Sequence, residues 1–215
     1  MKNRFDLIIF DWDGTLVDSI DWIVHCIQSA AAEYACPVPS ADAIKDIIGL
    51  SIENAMHALF PDIDSDTQHK LAAHYGQTFF SKQSSRDDLF PGVEQMLRRF
   101  RKDGYRLAVA TGKKSSGLAQ AIEGAGVADL FCTTRCSDQT ASKPDPKMID
   151  EIVAELGVSK QRTLMVGDSV HDLQMALNAQ VASIAVTCGA HSAVVLQQYQ
   201  PLCCLPFPTE LANII

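Results

Sequence analysis

The chain has no cluster of Lys and Arg dense enough to bind a nucleic-acid backbone or an anionic membrane surface. Its 18 Lys and Arg are outnumbered by 26 Asp and Glu, so its net charge is −8. It also lacks a long apolar run, because the one that follows Lys2 and Arg4 covers only residues 7–10 and is flanked by Asp6 and Asp11. We therefore expect a cytoplasmic protein with no nucleic-acid partner, no signal peptide and no membrane span.

The cysteines do not indicate a disulfide framework, because seven of them form an odd set in a chain without an export signal. We expect reduced thiols. Cys132 and Cys136 lack the second pair of Cys or His residues that a zinc site requires. The six histidines share no metal-binding spacing, and only His171, which precedes Asp172, is expected near a site. The composition, 47% hydrophobic and 20% charged, is that of a soluble globular protein of one or two domains.

Short apolar runs rich in branched residues alternate with longer segments of helical periodicity. Runs with the length of buried strands lie at residues 7–10, 107–110, 164–166 and 183–186, with a further candidate at 131–134. Helical spacing is found at residues 93–102, 116–123, 147–156 and 172–177. This alternation predicts an α/β fold, a Rossmann-like three-layer core with a parallel sheet between two layers of helices. For residues 201–215 we expect an edge strand and then a short capped helix.

Residues 18–88 break this alternation. They contain helical stretches such as residues 20–33 and no convincing strand. We interpret them as an inserted all-helical cap domain, with the Rossmann-like catalytic core formed by residues 1–17 and 89–215. The hinges are expected near residues 17–19 and in the polar run at residues 83–88.

The first predicted strand ends in two carboxylates, Asp11 and Asp13, which lie two positions apart. Alternate side chains of a strand point the same way, so both can face one site. Gly14 allows the backbone to turn sharply and to approach a ligand, and the Thr15 hydroxyl can anchor that turn. Alone, the same residues would also be typical of a tight turn after a strand.

Three later segments place reactive side chains after predicted strands. They are Thr111-Gly112-Lys113, Lys143 before Pro144, and Asp168 with Asp172 four residues further on. Peptide amides after Thr111 suit phosphate oxygens, a fixed Lys offsets phosphate charge, and the Asp168–Asp172 spacing stacks two carboxylates over one helical turn. Taken singly, each segment is equally typical of an ordinary turn or helix start.

All four segments follow predicted parallel strands, whose carboxyl ends meet at one edge of a sheet. Asp11, Asp13, Asp168 and Asp172 would repel one another there unless a hard divalent cation with oxygen ligands lay among them. The sequence therefore predicts a magnesium site at this edge.

With these segments the sequence closely resembles the haloacid dehalogenase superfamily of phosphohydrolases, whose four motifs match residues 11–15, Thr111, Lys143 and residues 167–172. The helical insert resembles the cap of the phosphoglycolate phosphatase-like branch. The resemblance implies magnesium-dependent hydrolysis of a small phosphorylated metabolite, with phosphoglycolate, sugar phosphates and nucleotides all open. The oligomeric state is left open between monomer and homodimer.

The resemblance also implies a role for each motif residue. Asp11 would attack phosphorus and form an aspartyl-phosphate, while Asp13 would act first as general acid and then as general base. The phosphoryl group would be bound by Gly14, Thr111, Gly112 and Lys143. Magnesium would be bound by the carboxylates of Asp11 and Asp168, by the backbone carbonyl of Asp13 and, through a water, by Asp172.

The closest alternative is a phosphomutase of the β-phosphoglucomutase type, which would return the phosphoryl group to a sugar. In that branch a cap loop of the form Gly-x-Ser is followed by Arg, whereas here residues 49–51 are followed by Ile52. A haloacid dehalogenase proper lacks the equivalent of Asp13. A receiver-like phosphate sensor places its acceptor Asp on a later strand and has no helical insert of this size.

Overall fold

A single parallel sheet forms the centre of the molecule. In the computed structural model, which describes residues 4–215, the strands are β1 (Leu7–Phe10), β2 (Arg106–Thr111), β3 (Thr133–Cys136), β4 (Thr163–Gly167), β5 (Ala182–Val186) and β6 (Cys204–Leu205). Their order is β3-β2-β1-β4-β5-β6, and every neighbouring pair is parallel. The predicted strands are confirmed, although β3 begins two residues later than expected.

The helices fill the segments between the strands. They are α1 (Ile20–Glu33), α2 (Ala41–Lys45), α3 (Ile52–Leu59), α4 (Ser65–Phe79), α5 (Val93–Lys102), α6 (Ser115–Gly124), α7 (Lys147–Leu156), α8 (Val170–Ala179) and α9 (Ala193–Leu196). Helices α5 and α7 have their predicted bounds, whereas α8 starts two residues earlier and ends two residues later than predicted. None of the helices in residues 4–215 is long and apolar enough to cross a membrane.

The C-terminal segment corrects one expectation. The edge strand is present as β6, but a 3₁₀ helix, Pro208–Asn213, follows it where a side-chain-capped helix was expected. Phe207 occupies the position before this helix and has no side-chain acceptor, and Pro208 has no N–H to be capped. The segment is therefore held by burial of Leu211, which is fully buried in the core.

The alternation of side chains along β1 builds the two core layers. Ile8 and Phe10 belong to a hydrophobic cluster on one face of the sheet, together with Phe100 of α5. Leu7 and Ile9 belong to a separate cluster on the other face, together with Ile152 of α7 and others. Because both faces of the sheet are covered by helices, the strands are buried on both sides and the fold has three layers.

Residues 18–88 contain helices α1 to α4 and no strand. These helices share a hydrophobic cluster of their own, which includes Ile27, Ile44, Met56 and Leu71. The chain leaves and re-enters the sheet domain at one place, where the amide of Asp18 donates to the carbonyl of residue 88 over 2.9 Å. The division into a core and a cap, at residues 17/18 and 88/89, stays a prediction.

Two leucines of α8, one buried and one exposed, allow a matched test of how this helix packs. Leu173 is fully buried, whereas Leu177, four residues further along the same helix, is 43% exposed. Leu173→Ala should lower the free energy of unfolding by about 2–5 kcal/mol, because it leaves a cavity, while Leu177→Ala should cost under about 1 kcal/mol. Urea denaturation followed by circular dichroism measures both. Equal losses for the two variants would contradict the described packing of α8.

Candidate active site

Asp11, Lys143 and Asp172 form a buried ionic cluster at the carboxyl ends of β1 and β4. The Lys143 Nζ lies 2.7 Å from Asp11 Oδ1 and 2.6 Å from Asp172 Oδ1. None of the three residues is more than 2% exposed. Lys143 comes from the loop between β3 and α7, so three separate segments of the chain meet here. In a site without water such charges are stable only when they are paired.

The position of Asp11 follows from the register of the sheet. Phe10, the last residue of β1, lies opposite Val109 of β2 and Val166 of β4. The amide of Asp11 then continues the ladder and donates to the carbonyl of Val166 over 2.9 Å. Because strand order reverses between β1 and β4, the edge beyond these strands is the place where an open parallel sheet binds its ligands.

Asp168 follows β4 and is held by two donors. The Thr15 hydroxyl donates to its Oδ1 over 2.8 Å, and the amide of Ala190 donates to its Oδ2 over 2.7 Å. Gly14, at φ +76°, turns the chain over this carboxylate, and a Cβ atom at that position would lie 2.3 Å from Asp168 Oδ2. Gly14 is therefore required both for its backbone conformation and for the close approach.

Asp172 corrects a detail of the sequence interpretation. Asp168 and Asp172 do not stack over one turn of a helix, because α8 begins at Val170 and Asp168 lies before it. Ser169 is the N-cap residue, and its hydroxyl and amide donate to Asp172 Oδ2 over 2.7 and 3.1 Å. This capping box fixes Asp172, so that its other oxygen meets Lys143.

Burial and mutual repulsion shift the pKa values of these groups. Burial raises the pKa of Asp11 well above its ordinary value; Lys143 opposes this, and Asp172 and Asp168 add to it. Burial and the charge of Asp172 raise the pKa of Asp168 to about 7, against the donors Ala190 and Thr15. For Lys143, burial lowers the pKa, but the carboxylates of Asp11 and Asp172 outweigh it and raise the pKa above its ordinary value. Lys143 therefore stays charged.

Asp13 is held by a second set of contacts. The Ser19 hydroxyl donates to its Oδ1 over 2.7 Å, and Lys113 Nζ lies 2.9 Å from its Oδ2. Lys113 is itself 4.1 Å from the centroid of the Phe79 ring, so an aromatic face from α4 covers this ammonium group. The side chain of Asp13 thus has one orientation, next to the cavity that it lines.

Thr111 and Gly112 lie at the end of β2, directly beneath a loop from the helical insert. Thr111 is buried, and its Oγ1 accepts a hydrogen bond from the amide of Lys113 over 3.3 Å. A Cβ atom on Gly112 would lie 2.3 Å from the carbonyl oxygen of Leu50. Glycine is therefore the residue that lets the loop of residues 49–51 close over this strand end.

A cavity of about 410 Å³ opens between this edge of the sheet and helices α1, α3 and α4. Asp11, Asp13, Thr111, Gly112 and Lys113 line its floor, residues from 23–80 line most of the rest, and Lys114 and Ser116 complete it. The volume lies in the range of small-molecule sites, about 300–1,000 Å³. The charged edge of the sheet is thus in contact with a space that can hold a small organic molecule.

The carboxylates of this site fit a divalent cation with oxygen ligands. Asp11, Asp168 and Asp172 can each offer one oxygen so that these atoms lie within 4.8 Å of one another, and all three residues are buried. Asp11 Oδ1, although close to Lys143, accepts no hydrogen bond of good geometry. Three carboxyl groups face one ammonium group, so their ionised forms carry more negative charge than Lys143 can offset, and hard carboxylate oxygens are the ligands that such cations prefer.

The eight residues singled out from the sequence all lie around this edge of the sheet: Asp11, Asp13, Gly14, Thr111, Gly112, Lys143, Asp168 and Asp172. Their catalytic and metal-binding roles stay predictions. His171 does not line the cavity; its Nε2 lies 2.9 Å from the carbonyl oxygen of Asp46. The sequence interpretation placed Ser19 only near a hinge and gave Lys113 no ionic partner. Ser19 contacts Asp13 across the turn after β1, whereas Lys113 reaches it from 100 positions away.

Comparison with known proteins supports this description. A family model described as Haloacid dehalogenase-like hydrolase matches residues 8–186. The chain is 35% identical to "Probable phosphatase IndB" of Dickeya dadantii over 91% of this chain and 86% of that protein. It is 24% identical to a phosphoglycolate phosphatase of Nitrosococcus oceani over 100% and 98% of the two chains.

A crystal structure of a haloacid dehalogenase-like hydrolase from Bacteroides fragilis superimposes with a TM-score of 0.88 at 25% identity, covering 97% of this chain and 100% of that one. The family match spans far more than half of the chain and includes Asp11, Thr111, Lys143 and Asp168. The resemblance inferred from the four motifs is therefore confirmed at the level of the family. This chain belongs to the haloacid dehalogenase-like hydrolases.

Proposed function

We propose that this protein is a magnesium-dependent phosphatase that hydrolyses a small phosphate monoester through a covalent intermediate on Asp11. The observation that carries the proposal is the position of the Asp11 carboxylate, which lines the cavity while Lys143, behind it, is buried and charged. A carboxylate so placed can act as a nucleophile, since the ammonium group offsets the charge that gathers when a phosphate approaches. The names of the relatives, phosphatase and phosphoglycolate phosphatase, agree with this reaction.

In the first half-reaction an oxygen of Asp11 attacks phosphorus and the bond from phosphorus to the ester oxygen breaks. Thr111 lies beside Asp11 in the cavity floor, and its hydroxyl would donate to a phosphoryl oxygen. The departing alkoxide takes a proton from Asp13, and the alcohol leaves. Asp11 then carries the phosphoryl group as an aspartyl-phosphate.

In the second half-reaction a water attacks the aspartyl-phosphate and gives its proton to Asp13, which is now a carboxylate. The donors Ser19 and Lys113 stabilise this charged form of Asp13 and fix its direction. The bond from phosphorus to Asp11 breaks, so inorganic phosphate is released and both aspartates return to their initial states. Asp13 therefore loses a proton to the alcohol in the first step and regains one from water in the second.

The residues present would hold magnesium through the carboxylates of Asp11 and Asp168 and the carbonyl of Asp13, with Asp172 acting through a water. When bound, the ion supplies positive charge beside the phosphoryl oxygens. The chain supplies the support for that ion, because Thr15 and Ala190 orient Asp168 and the capping box orients Asp172.

The nucleophile is tested by Asp11→Asn, which keeps the shape of the side chain and removes its charge. We expect the release of inorganic phosphate from p-nitrophenyl phosphate with magnesium to fall by about 10³-fold or more, because no covalent intermediate can form. Asp18→Asn is the matched control, since Asp18 is exposed and makes no side-chain contact with the cluster. Full activity in Asp11→Asn would refute the mechanism.

Phosphate release also separates a phosphatase from a phosphomutase, because a phosphomutase retains the phosphoryl group on a sugar.

The acid-base role is tested by Asp13→Ala. Removal of a general acid and base lowers rates by about 10²- to 10⁴-fold, so kcat should fall by that factor. Ser19→Ala removes only one donor to Asp13 and should reduce kcat by less than about 10-fold. An Asp13→Ala variant that kept its kcat would show that Asp13 is not the group that moves the proton.

Metal dependence is tested by removing the ion and by changing Asp168. Dialysis against EDTA should abolish phosphatase activity, and added magnesium should restore it. In Asp168→Asn the magnesium concentration for half-maximal activity should rise by about 10-fold or more, because one carboxylate ligand is lost. Asp103→Asn is the control and should behave like the unchanged protein. Asp103 is exposed at the end of α5, before β2, and therefore lies at the opposite edge of the sheet from the site. Activity that persists in EDTA would contradict the proposal.

A further inference from the structure

The wall of the cavity opposite Asp11 is formed mainly by aliphatic and aromatic side chains from the helical insert. They include Ile23 and Ile27 of α1, Ile52 of α3 and Phe79 of α4, together with Ile48 and Leu50 of the loop before α3. Ile23, Ile27 and Ile48 are buried members of the hydrophobic cluster of the insert and extend that cluster to the cavity surface. A group placed against this wall loses its water and gains apolar contacts.

The lysines in the cavity lining are each already paired with a carboxylate that lines the same cavity. Lys113 Nζ lies 2.9 Å from Asp13 Oδ2, and Lys114 Nζ lies 2.7 Å from Glu53 Oε1. Each of these two ammonium groups therefore has a carboxylate partner within the lining itself. No unpaired Lys or Arg lines this cavity within residues 4–215.

The one phenol in the wall adds a neutral polar contact. Tyr75 of α4 lines the cavity, and burial raises its pKa well above the ordinary value, with the nearby Asp13 and Cys26 adding to the shift. Its hydroxyl therefore stays protonated and can donate to an uncharged oxygen. This contact suits an alcohol, ether or ester oxygen as well as it suits an anion.

We propose that the organic part of the substrate is uncharged and largely apolar, so that the phosphate is the only anionic group of the monoester. This inference rests on the proposed function. A second anionic group, such as the carboxylate of phosphoglycolate or a second phosphate, would lose its hydration against isoleucine and phenylalanine and find no free cation. The preference of this chain therefore departs from the substrate named for several of its relatives.

A matched pair of phosphates tests the inference: benzyl phosphate and 4-carboxybenzyl phosphate, whose leaving groups differ by one remote carboxylate. We expect kcat/KM for benzyl phosphate to exceed that for 4-carboxybenzyl phosphate by at least about 10-fold, because the carboxylate meets an apolar wall and no unpaired cation. The difference should appear chiefly in KM, since the reacting atoms are the same.

A variant tests whether the paired lysines set this preference. Glu53→Gln leaves Lys114 without its partner at the cavity lining, so the ratio of the two kcat/KM values should fall by about 3- to 10-fold. Glu33→Gln is the control for the change in net charge, because Glu33 lies exposed at the end of α1 and outside the cavity. Its ratio should equal that of the unchanged protein.

Equal or better turnover of 4-carboxybenzyl phosphate by the unchanged protein would overturn the inference and leave the phosphatase intact. An unchanged ratio in Glu53→Gln would likewise show that the paired lysines do not select against anions. If neither of these phosphates nor p-nitrophenyl phosphate released phosphate with magnesium present, the proposed function itself would fail, and the inference with it.

Discussion

The ammonium group of Lys143, enclosed between the carboxylates of Asp11 and Asp172, is the interaction on which the site depends. The Lys143 nitrogen and the carboxylate oxygens lie 2.6–2.7 Å apart, and all three side chains are buried. Charges in such a place are costly to desolvate, so each is tolerated only while its partners stay in position. The sheet must therefore bring the end of β1, the loop before α7 and the first turn of α8 together before the cluster can form.

The charges of the cluster do not balance, because a third buried carboxylate, Asp168, has no ammonium partner of its own. Burial raises the pKa values of Asp11 and Asp168, and this excess of negative charge raises them further. The same excess makes the residues fit a divalent cation. Neighbouring residues of the same chain hold the Asp168 carboxylate in place. Thr15 and Ala190 donate hydrogen bonds to it, and position 14 is a glycine, because any side chain there would collide with it. This local excess of buried like charge lowers stability, as is typical of functional sites.

The two parts of the cavity differ in chemistry because they come from different parts of the chain. Its floor follows the strands of the sheet and carries charged and hydroxyl groups, whereas its wall comes from a helical segment whose hydrophobic cluster continues to the surface. The lysines at the junction are neutralised by Asp13 and Glu53. Under the proposed function, the reacting groups and the groups that select the organic part of the substrate would come from different segments.

The sequence by itself determined the α/β class, the strands, and the motif residues Asp11, Thr111, Lys143 and Asp168, because apolar periodicity and polar residues after strands are local patterns. It did not reveal that Asp168 lies outside the helix, since Ser169 takes the N-cap position through a contact that spacing alone does not show. The ion pairs of Lys113 and Lys114, and the apolar wall opposite Asp11, were decided only by the tertiary structure. Each of these ion pairs joins residues about 60 or more positions apart. The free energy of such a contact depends on the burial of the two groups and the distance between them, which exist only once the chain has folded.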